Sequence, residues 1–298
     1  MLNRRQFLVA ASALPGLLSG QDSRQSFRAG TCLGGQTGEA FWNNCQNAAN
    51  AGFHNVESSG AGLRLVDVYS GRSQELKEQL SKLNLNLVGY AQYSPMSDPL
   101  ARKQLIDLHL TIARVLQPVG TQYITQLVSL PPKEGVSAAQ LPASMTADEK
   151  KNLLANLNEV GKALRSETPF QIGFHAETAE AAAGLINLIM QGTDPKYFGL
   201  IADVGHMTAG GLDALSVCRK YRSRIIAVHL RDWDPNIKYE RNGQQITGRF
   251  VPLGQGVIDL PKIVGFLRET NFSGFINAEG GGLTPSLSYM VKTLDMRV

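Results

Sequence analysis

The sequence predicts an α/β chain folded as a single-domain (β/α)8 barrel, and three observations carry that reading. Eight short apolar runs alternate with stretches whose apolar residues recur at helical spacing. Four of those runs end on acidic or histidine side chains: Gly173-Phe174-His175-Ala176-Glu177, Ile201-Ala202-Asp203-Val204-Gly205-His206, Ile226-Ala227-Val228-His229-Leu230-Arg231-Asp232 and Phe275-Ile276-Asn277-Ala278-Glu279. The length of 298 residues, 43% hydrophobic and 18% charged, is enough for such a barrel as one unit. A doubly wound open sheet would be expected to carry a phosphate-binding glycine fingerprint after its first strand. Gly34-Gly35 does not have that form.

Taken in order, the first strand is Phe27 to Leu33, followed by a helical pattern from Phe41 to Ala51 that Gly52 stops. Asn55-Val56-Glu57 is the second strand. Leu63 to Ser70 reads as a loop with a turn of helix, and Ser73 to Leu83 as an amphipathic helix. Leu85 to Tyr90 alternates as the third strand. Asp98 caps a helix from Pro99 to Leu116, which ends before Pro118. Tyr123 to Val128 is the fourth strand, and Pro131 to Met145 a polar rim segment or lid. Thr146 to Glu149 opens the next helix with a capping pattern, running to about Leu164. Strand five follows Pro169, and a helix spans Thr178 to Met190. Phe198 to Asp203 is strand six, Asp213 to Tyr221 its helix, and Ile225 to Leu230 strand seven. Asp232 to Arg249 is a long polar connection. Leu260 to Thr270 is helical, Gly274 to Glu279 is strand eight, and Pro285 to Leu294 is the closing helix.

The formal charge of +4 falls to +2 once Arg4 and Arg5 are set aside (4 − 2). That bias is too small to argue for nucleic acid or an anionic membrane surface. Cys32, Cys45 and Cys218 are odd in number and widely spaced, so no disulfide framework is expected, and Cys218 reads as a buried thiol. Asn3-Arg4-Arg5-Gln6-Phe7-Leu8, followed by the short apolar run Val9 to Leu18, reads as a twin-arginine export signal. The expected division is a signal over 1–25, cleaved between about Ser19 and Gln25, and a barrel over 26–298. The expected location is the periplasm or beyond. The apolar run is broken by Pro15-Gly16 and is too short to span a bilayer, so no membrane span remains after the signal.

In such barrels the chemistry sits at the C-terminal ends of the strands. Glu57, His175, Asp203, His229 and Glu279 all fall there. Strand side chains two apart face the same way, so His175 pairs with Glu177 and His229 with Arg231. Singly, each has a structural explanation: Asp203 could cap the following helix, and Glu279 could bind backbone amides. Together, His175, Asp203, His229 and Glu279 offer two imidazoles and two carboxylates, a set suited to one divalent Mn, Co, Zn, Fe or Ni and too nitrogen-rich for Mg or Ca. A cation held this way stabilises negative charge on a sugar carbonyl, while a poised carboxylate moves the α-proton. His54, before a strand, and His109, mid-helix, read as structural.

Glu57, Asp203-Val204-Gly205-His206, His229-Leu230-Arg231-Asp232, Val251-Pro252-Leu253-Gly254-Gln255-Gly256-Val257-Ile258-Asp259 and Ala278-Glu279 resemble the xylose isomerase-like TIM barrel superfamily over nearly all of the chain after the signal. The resemblance implies a small-molecule carbohydrate substrate and one bound metal. It implies Asp203, His229 and Glu279 as ligands, His206 as a substrate-polarising group, Arg231 as a contact to substrate oxygens, and Glu57 as pocket lining. In the epimerases of that superfamily a strand-five glutamate is the fourth ligand and one of two bases. Here His175 occupies that place, as in inosose dehydratase-like members, and Glu177 would have to supply the base from the rim.

The expected activity is therefore a metal-dependent sugar isomerase or epimerase, with Glu279, Glu177, His206 and Arg231 as catalytic residues. A lyase or dehydratase acting on a 3-keto-glycoside or inosose is the alternative. A non-catalytic exported sugar-binding protein is the second alternative. The superfamily's DNA-repair branch needs three metals and more strand-end histidines than the five in this chain provide. A homo-oligomer is left open.

Overall fold

The structure is a computed structural model that describes residues 27–34, 38–59, 64–241 and 244–297. The export-signal reading falls on residues 1–25 and lies outside them. Eight parallel strands close on themselves: β1 (Arg28–Leu33), β2 (Asn55–Ser59), β3 (Asn86–Ser94), β4 (Tyr123–Val128), β5 (Gln171–His175), β6 (Gly199–Asp203), β7 (Ile225–Leu230) and, after a hairpin of β8 (Asp232–Arg241) with β9 (Gln244–Val251), β10 (Phe275–Ala278). The barrel order is β1-β10-β7-β6-β5-β4-β3-β2. The expected (β/α)8 TIM barrel is thus the observed fold, in one domain.

Two apolar cores form because barrel strands bury both faces. The larger lies between strands and helices and includes Phe41, Leu76, Ile112, Leu157, Ile189, Leu215 and Leu267. The smaller holds Val88, Tyr123, Ile201, Ala227 and Phe275. Ile201, Ala227 and Phe275 stand two positions before Asp203, His229 and Asn277 on their strands. They face the same way one step lower, so they floor the site inside the barrel. A β-carbon on Gly89 would lie 2.4 Å from the Tyr123 ring, so glycine there lets that ring lie across the barrel. Asn277, His229 and Asp203 are level with one another by strand register.

Several elements differ from the sequence expectation. The segment Asp232 to Arg249 is a two-stranded antiparallel hairpin, with Trp233 opposite Phe250 and Tyr239 opposite Ile246. Strand three continues past Tyr90 to Ser94. The expected helix over Thr178 to Met190 is two helices, Thr178–Ala182 and Leu185–Gly192, because Gly184 between them takes the left-handed conformation at φ 76°. Helix Arg102–Leu116 starts three residues after Pro99, and Asp98 caps a preceding turn by accepting from Leu100 N at 2.8 Å. A short helix, Val204–Ala209, follows Asp203 directly.

The rim segment after β4 contains a 3-10 turn, Ala138–Gln140, and is tied down by Lys133, whose Nζ donates to Ser144 O at 2.9 Å and Glu149 Oε2 at 2.7 Å. Thr146 caps helix Ala147–Glu167 with the reciprocal Thr146/Glu149 pair that the sequence predicts. Cys45 and Cys218 are buried free thiols, and Cys32 is free. No helix among the described residues is long and apolar enough to cross a membrane.

Candidate active site at the barrel mouth

One ligand atom from each of His175, Asp203, His229 and Glu279 lies within 4.8 Å of every other. These residues come from the ends of β5, β6 and β7 and the residue after β10, so closure of the barrel brings them together from over a hundred positions of chain. His175 Nε2 is 3.4 Å from Asp203 Oδ2 and 4.0 Å from Glu279 Oε2. His229 Nδ1 stands 2.9 Å from Glu279 Oε2, yet neither atom is aligned for a hydrogen bond and both are buried without one. Lone pairs left unmatched in a buried site carry a cost unless something else satisfies them. Two nitrogens and two carboxylate oxygens converging this way fit a divalent cation.

His229, Asp203 and Glu279 are each held by a neighbouring side chain or amide, while His175 Nδ1 is buried without a partner. His229 is held through Nε2, 2.9 Å from Glu57 Oε2, which leaves Nδ1 facing the site. That carboxylate oxygen also accepts from Tyr123 OH at 2.7 Å and Asn277 Nδ2 at 3.0 Å. Glu57, expected as pocket lining, lines the hollow with His175 and His229, and its buried carboxylate also directs His229. Asp203 divides its two oxygens. Oδ1 accepts from His206 N at 2.7 Å and caps helix Val204–Ala209, while Oδ2 faces the cluster and accepts from Arg231 Nε at 3.0 Å. The capping explanation of Asp203 thus accounts for Oδ1 and leaves Oδ2 to face the cluster. Cys32 also approaches Glu57 and His229 closely. The three hydrogen bonds already on Glu57 Oε2 make that grouping part of the support for His229.

Arg231 bridges Asp203 and Glu279, donating to Glu279 Oε1 through Nη2, and its guanidinium lies 4.9 Å from the centre of the Phe250 ring. Gly205 permits this, since a β-carbon there would meet Arg231 Cβ at 2.3 Å. Phe250, from the hairpin, also packs edge-on against His206 with ring centres 4.9 Å apart. Asp232, next in the motif, turns away from the mouth. Its carboxylate accepts from Trp233 N at 2.9 Å, Gly254 N at 2.9 Å, Gly256 N at 2.9 Å and Ile258 N at 3.1 Å. It clasps the Pro252–Ile258 loop to β8, which accounts for the spacing between His229-Leu230-Arg231-Asp232 and Pro252-Leu253-Gly254-Gln255-Gly256.

His206 is the expected substrate-polarising group, and both its ring nitrogens are engaged: Nδ1 is 2.8 Å from Thr178 Oγ1 and Nε2 3.1 Å from Glu177 Oε2. Glu177 itself is 41% exposed at the rim. Its other oxygen accepts from Tyr93 OH at 3.3 Å. Tyr93 was not singled out by the sequence reading, which ends strand three at Tyr90. The continuing alternation Gly89, Ala91, Tyr93 is the signal that would have found it.

The electrostatics follow from these contacts. Burial pushes Glu279 up, but contact with His229 and the charges of His229 and Arg231 hold its carboxyl down at about 2. Asp203 is likewise raised by burial and lowered further by His206, His175 and Arg231, ending well below the carboxylate range. Burial outweighs the nearby carboxylates at His206 and pushes that imidazole down. At His229 burial lowers, while Cys32, Glu57 and Glu279 raise the imidazole well above its ordinary value.

His109 is buried in its helix with Nδ1 2.6 Å from Leu105 O and Nε2 2.6 Å from Gln126 Oε1, a satisfied core histidine. His54 pairs with Asn84 before β2, away from the mouth.

Residues 45–292 match the family described as the Xylose isomerase-like TIM barrel. The chain belongs to this family. Among curated proteins it is 31% identical over 143 residues to the inosose dehydratase of Clostridium tetani, a match covering 45% of this chain and 48% of that one. A second inosose dehydratase, from Clostridium botulinum, is 30% identical over 158 residues, covering 49% of this chain and 53% of that one. The chain spans about half the length of these curated relatives. Among solved structures, a sugar phosphate isomerase/epimerase from Parabacteroides distasonis superposes with a TM-score of 0.67 at 15% identity, covering 95% of this chain and 100% of that one. A probable 3-DHS dehydratase from Bacillus anthracis superposes at 0.65 and 15% identity, covering 89% and 99%. This xylose isomerase-like barrel therefore shares its architecture with isomerases and dehydratases alike.

Proposed function

We propose that the protein is a divalent-metal-dependent dehydratase that removes water from a keto-cyclitol or keto-sugar, starting with proton abstraction α to the carbonyl. The observation that carries this reading is His175 at the end of β5, where a two-base epimerase would need a carboxylate. The similarity to inosose dehydratases supports it. The isomerase or epimerase expectation is supported only as far as the family, and membership of an enzyme family weighs against a purely binding role.

His175, Asp203, His229 and Glu279 would hold the cation, with Mn, Co, Zn or Fe suited to their donor set. When bound, it supplies Lewis-acid stabilisation of the negative charge that develops on the carbonyl oxygen. Glu177, at the rim and fixed by His206 and Tyr93, takes the α-proton. Glu279, paired with Arg231 and facing His229 within the cluster, is assigned to the cation. One effective base suits β-elimination, whereas inversion of a stereocentre needs groups on both faces of the substrate. Arg231 keeps Asp203 and Glu279 in place and closes the site beneath Phe250. The twin arginines Arg4 and Arg5 support export of the folded protein, so we place its substrate outside the cytoplasm.

The test is to incubate the purified full chain with Mn(II) and either an inosose or a 3-keto-glucoside in D2O. Deuterium should enter at the α-carbon and a conjugated enone should accumulate. Asp203→Asn should lose bound metal and both signals. An epimerised product without water loss would return the protein to the isomerases, and full activity of a metal-free Asp203→Asn would remove the proposal.

A further inference from the structure

Dehydration moves two protons, one off the α-carbon and one onto the departing hydroxyl, because hydroxide leaves poorly unless protonated. The hollow bounded by His175, His229 and Glu279 is also lined by Glu177, Cys32 and Tyr93. Among the described lining residues few can donate that proton. Glu177 is committed to the α-proton, and Cys32 is turned to Glu57 and His229. His206, behind Glu177, has both ring nitrogens engaged. Ser58 and Thr125 carry aliphatic hydroxyls, far weaker acids than a phenol.

Tyr93 remains. It stands near the end of β3, level with Leu127 of β4, and its side chain is 42% exposed at the mouth. Its hydroxyl donates to Glu177 Oε1 at 3.3 Å, so an acid and a base share one contact on one wall of the hollow.

We propose that Tyr93 is a catalytic residue, the general acid that protonates the leaving hydroxyl while Glu177 takes the α-proton. This rests on the dehydratase reading. The C–H electrons become the new C=C bond. The C–O bond breaks with its electron pair, which takes the phenolic proton, so that water departs. The proton on Glu177 then crosses the contact to the phenolate, and both residues return to their starting states. No external oxidant or reductant enters.

The experiment compares wild type, Tyr93→Phe and Glu177→Gln, each loaded with Mn(II), on an inosose and a 3-keto-glucoside in D2O. Deuterium exchange at the α-carbon and enone formation are measured separately. Tyr93→Phe should keep exchange within about threefold of wild type and lose enone formation by about 10²-fold or more. Glu177→Gln should lose both. A purely structural role for Tyr93 would reduce the two rates together, with a lowered melting temperature. If wild type performs both steps and Tyr93→Phe retains enone formation, or loses exchange equally, the assignment of Tyr93 is overturned and the dehydratase reading stands. If wild type neither exchanges nor dehydrates either probe, the dehydratase reading falls and Tyr93 with it.

Discussion

Glu57 accepts three hydrogen bonds on a single buried oxygen, from Tyr123, His229 and Asn277. Burial raises this carboxyl, and the His229 charge and hydrogen bonds lower it further, so it stays ionised and can hold a proton on His229 Nε2. With a cation bound, that proton on Nε2 would leave the Nδ1 lone pair to the metal, an arrangement metal-ligating histidines commonly need. Glu57→Gln should disturb it, because the amide nitrogen would donate to Nε2 and drive the proton to Nδ1. The expected result is Mn(II) affinity weakened about 10–100-fold by calorimetry, with folding retained. An unchanged affinity would show that Glu57 does not orient the ligand.

At the scale of elements, the Asp232 carboxylate joins the start of the hairpin to the loop after it through four backbone amides. Asp232→Ala removes the buried acceptor from all four part-buried amides. It should destabilise the protein by about 3 kcal/mol and lower the melting temperature by roughly 5–10 °C. Because Phe250 at the end of β9 covers Arg231 and His206, turnover should fall as well. Equal stability of the variant would show that the loop is fixed by other contacts.

The helix after the rim segment offers a cleaner pH prediction. The Lys133 hydrogen bond, then the Thr146 amide, hold Glu149 below its ordinary 4.5. A carboxyl depressed in the folded state adds stability above 4.5, and that contribution disappears as the pH drops through the folded value. Glu149→Gln should therefore cost about 1 kcal/mol at neutral pH, and its melting temperature should converge on wild type in acid. A constant difference down to acid pH would contradict the assignment.

At the scale of the whole molecule, the four candidate ligands come from four separated segments of chain, so a cation binding them stabilises closure of the barrel itself. Mn(II) at a hundredfold excess over its Kd should add about 2.7 kcal/mol and raise the melting temperature by roughly 5 °C. EDTA should reverse the shift, and His175→Ala should remove most of it. Absence of any shift in wild type would mean that the four residues pair among themselves without holding a cation.

The sequence alone determined the eight strand–helix units and the residues that end strands β5, β6, β7 and β10, because barrel strands read as apolar runs and their last residues interrupt them. It also determined the Thr146 cap, a local pattern complete within four residues. The hairpin of Asp232–Arg241 with Gln244–Val251 was hidden within the polar connection read from Asp232 to Arg249, since a two-stranded hairpin over the rim buries only one face. Asn242-Gly243 between its arms was the available hairpin signal. Only the tertiary structure decided that Glu57 supports His229, that Asp203 serves both a helix cap and the cluster, and that Tyr93 meets Glu177. Those are contacts between segments far apart in the chain, and their distances are set by barrel closure, which no local sequence pattern encodes.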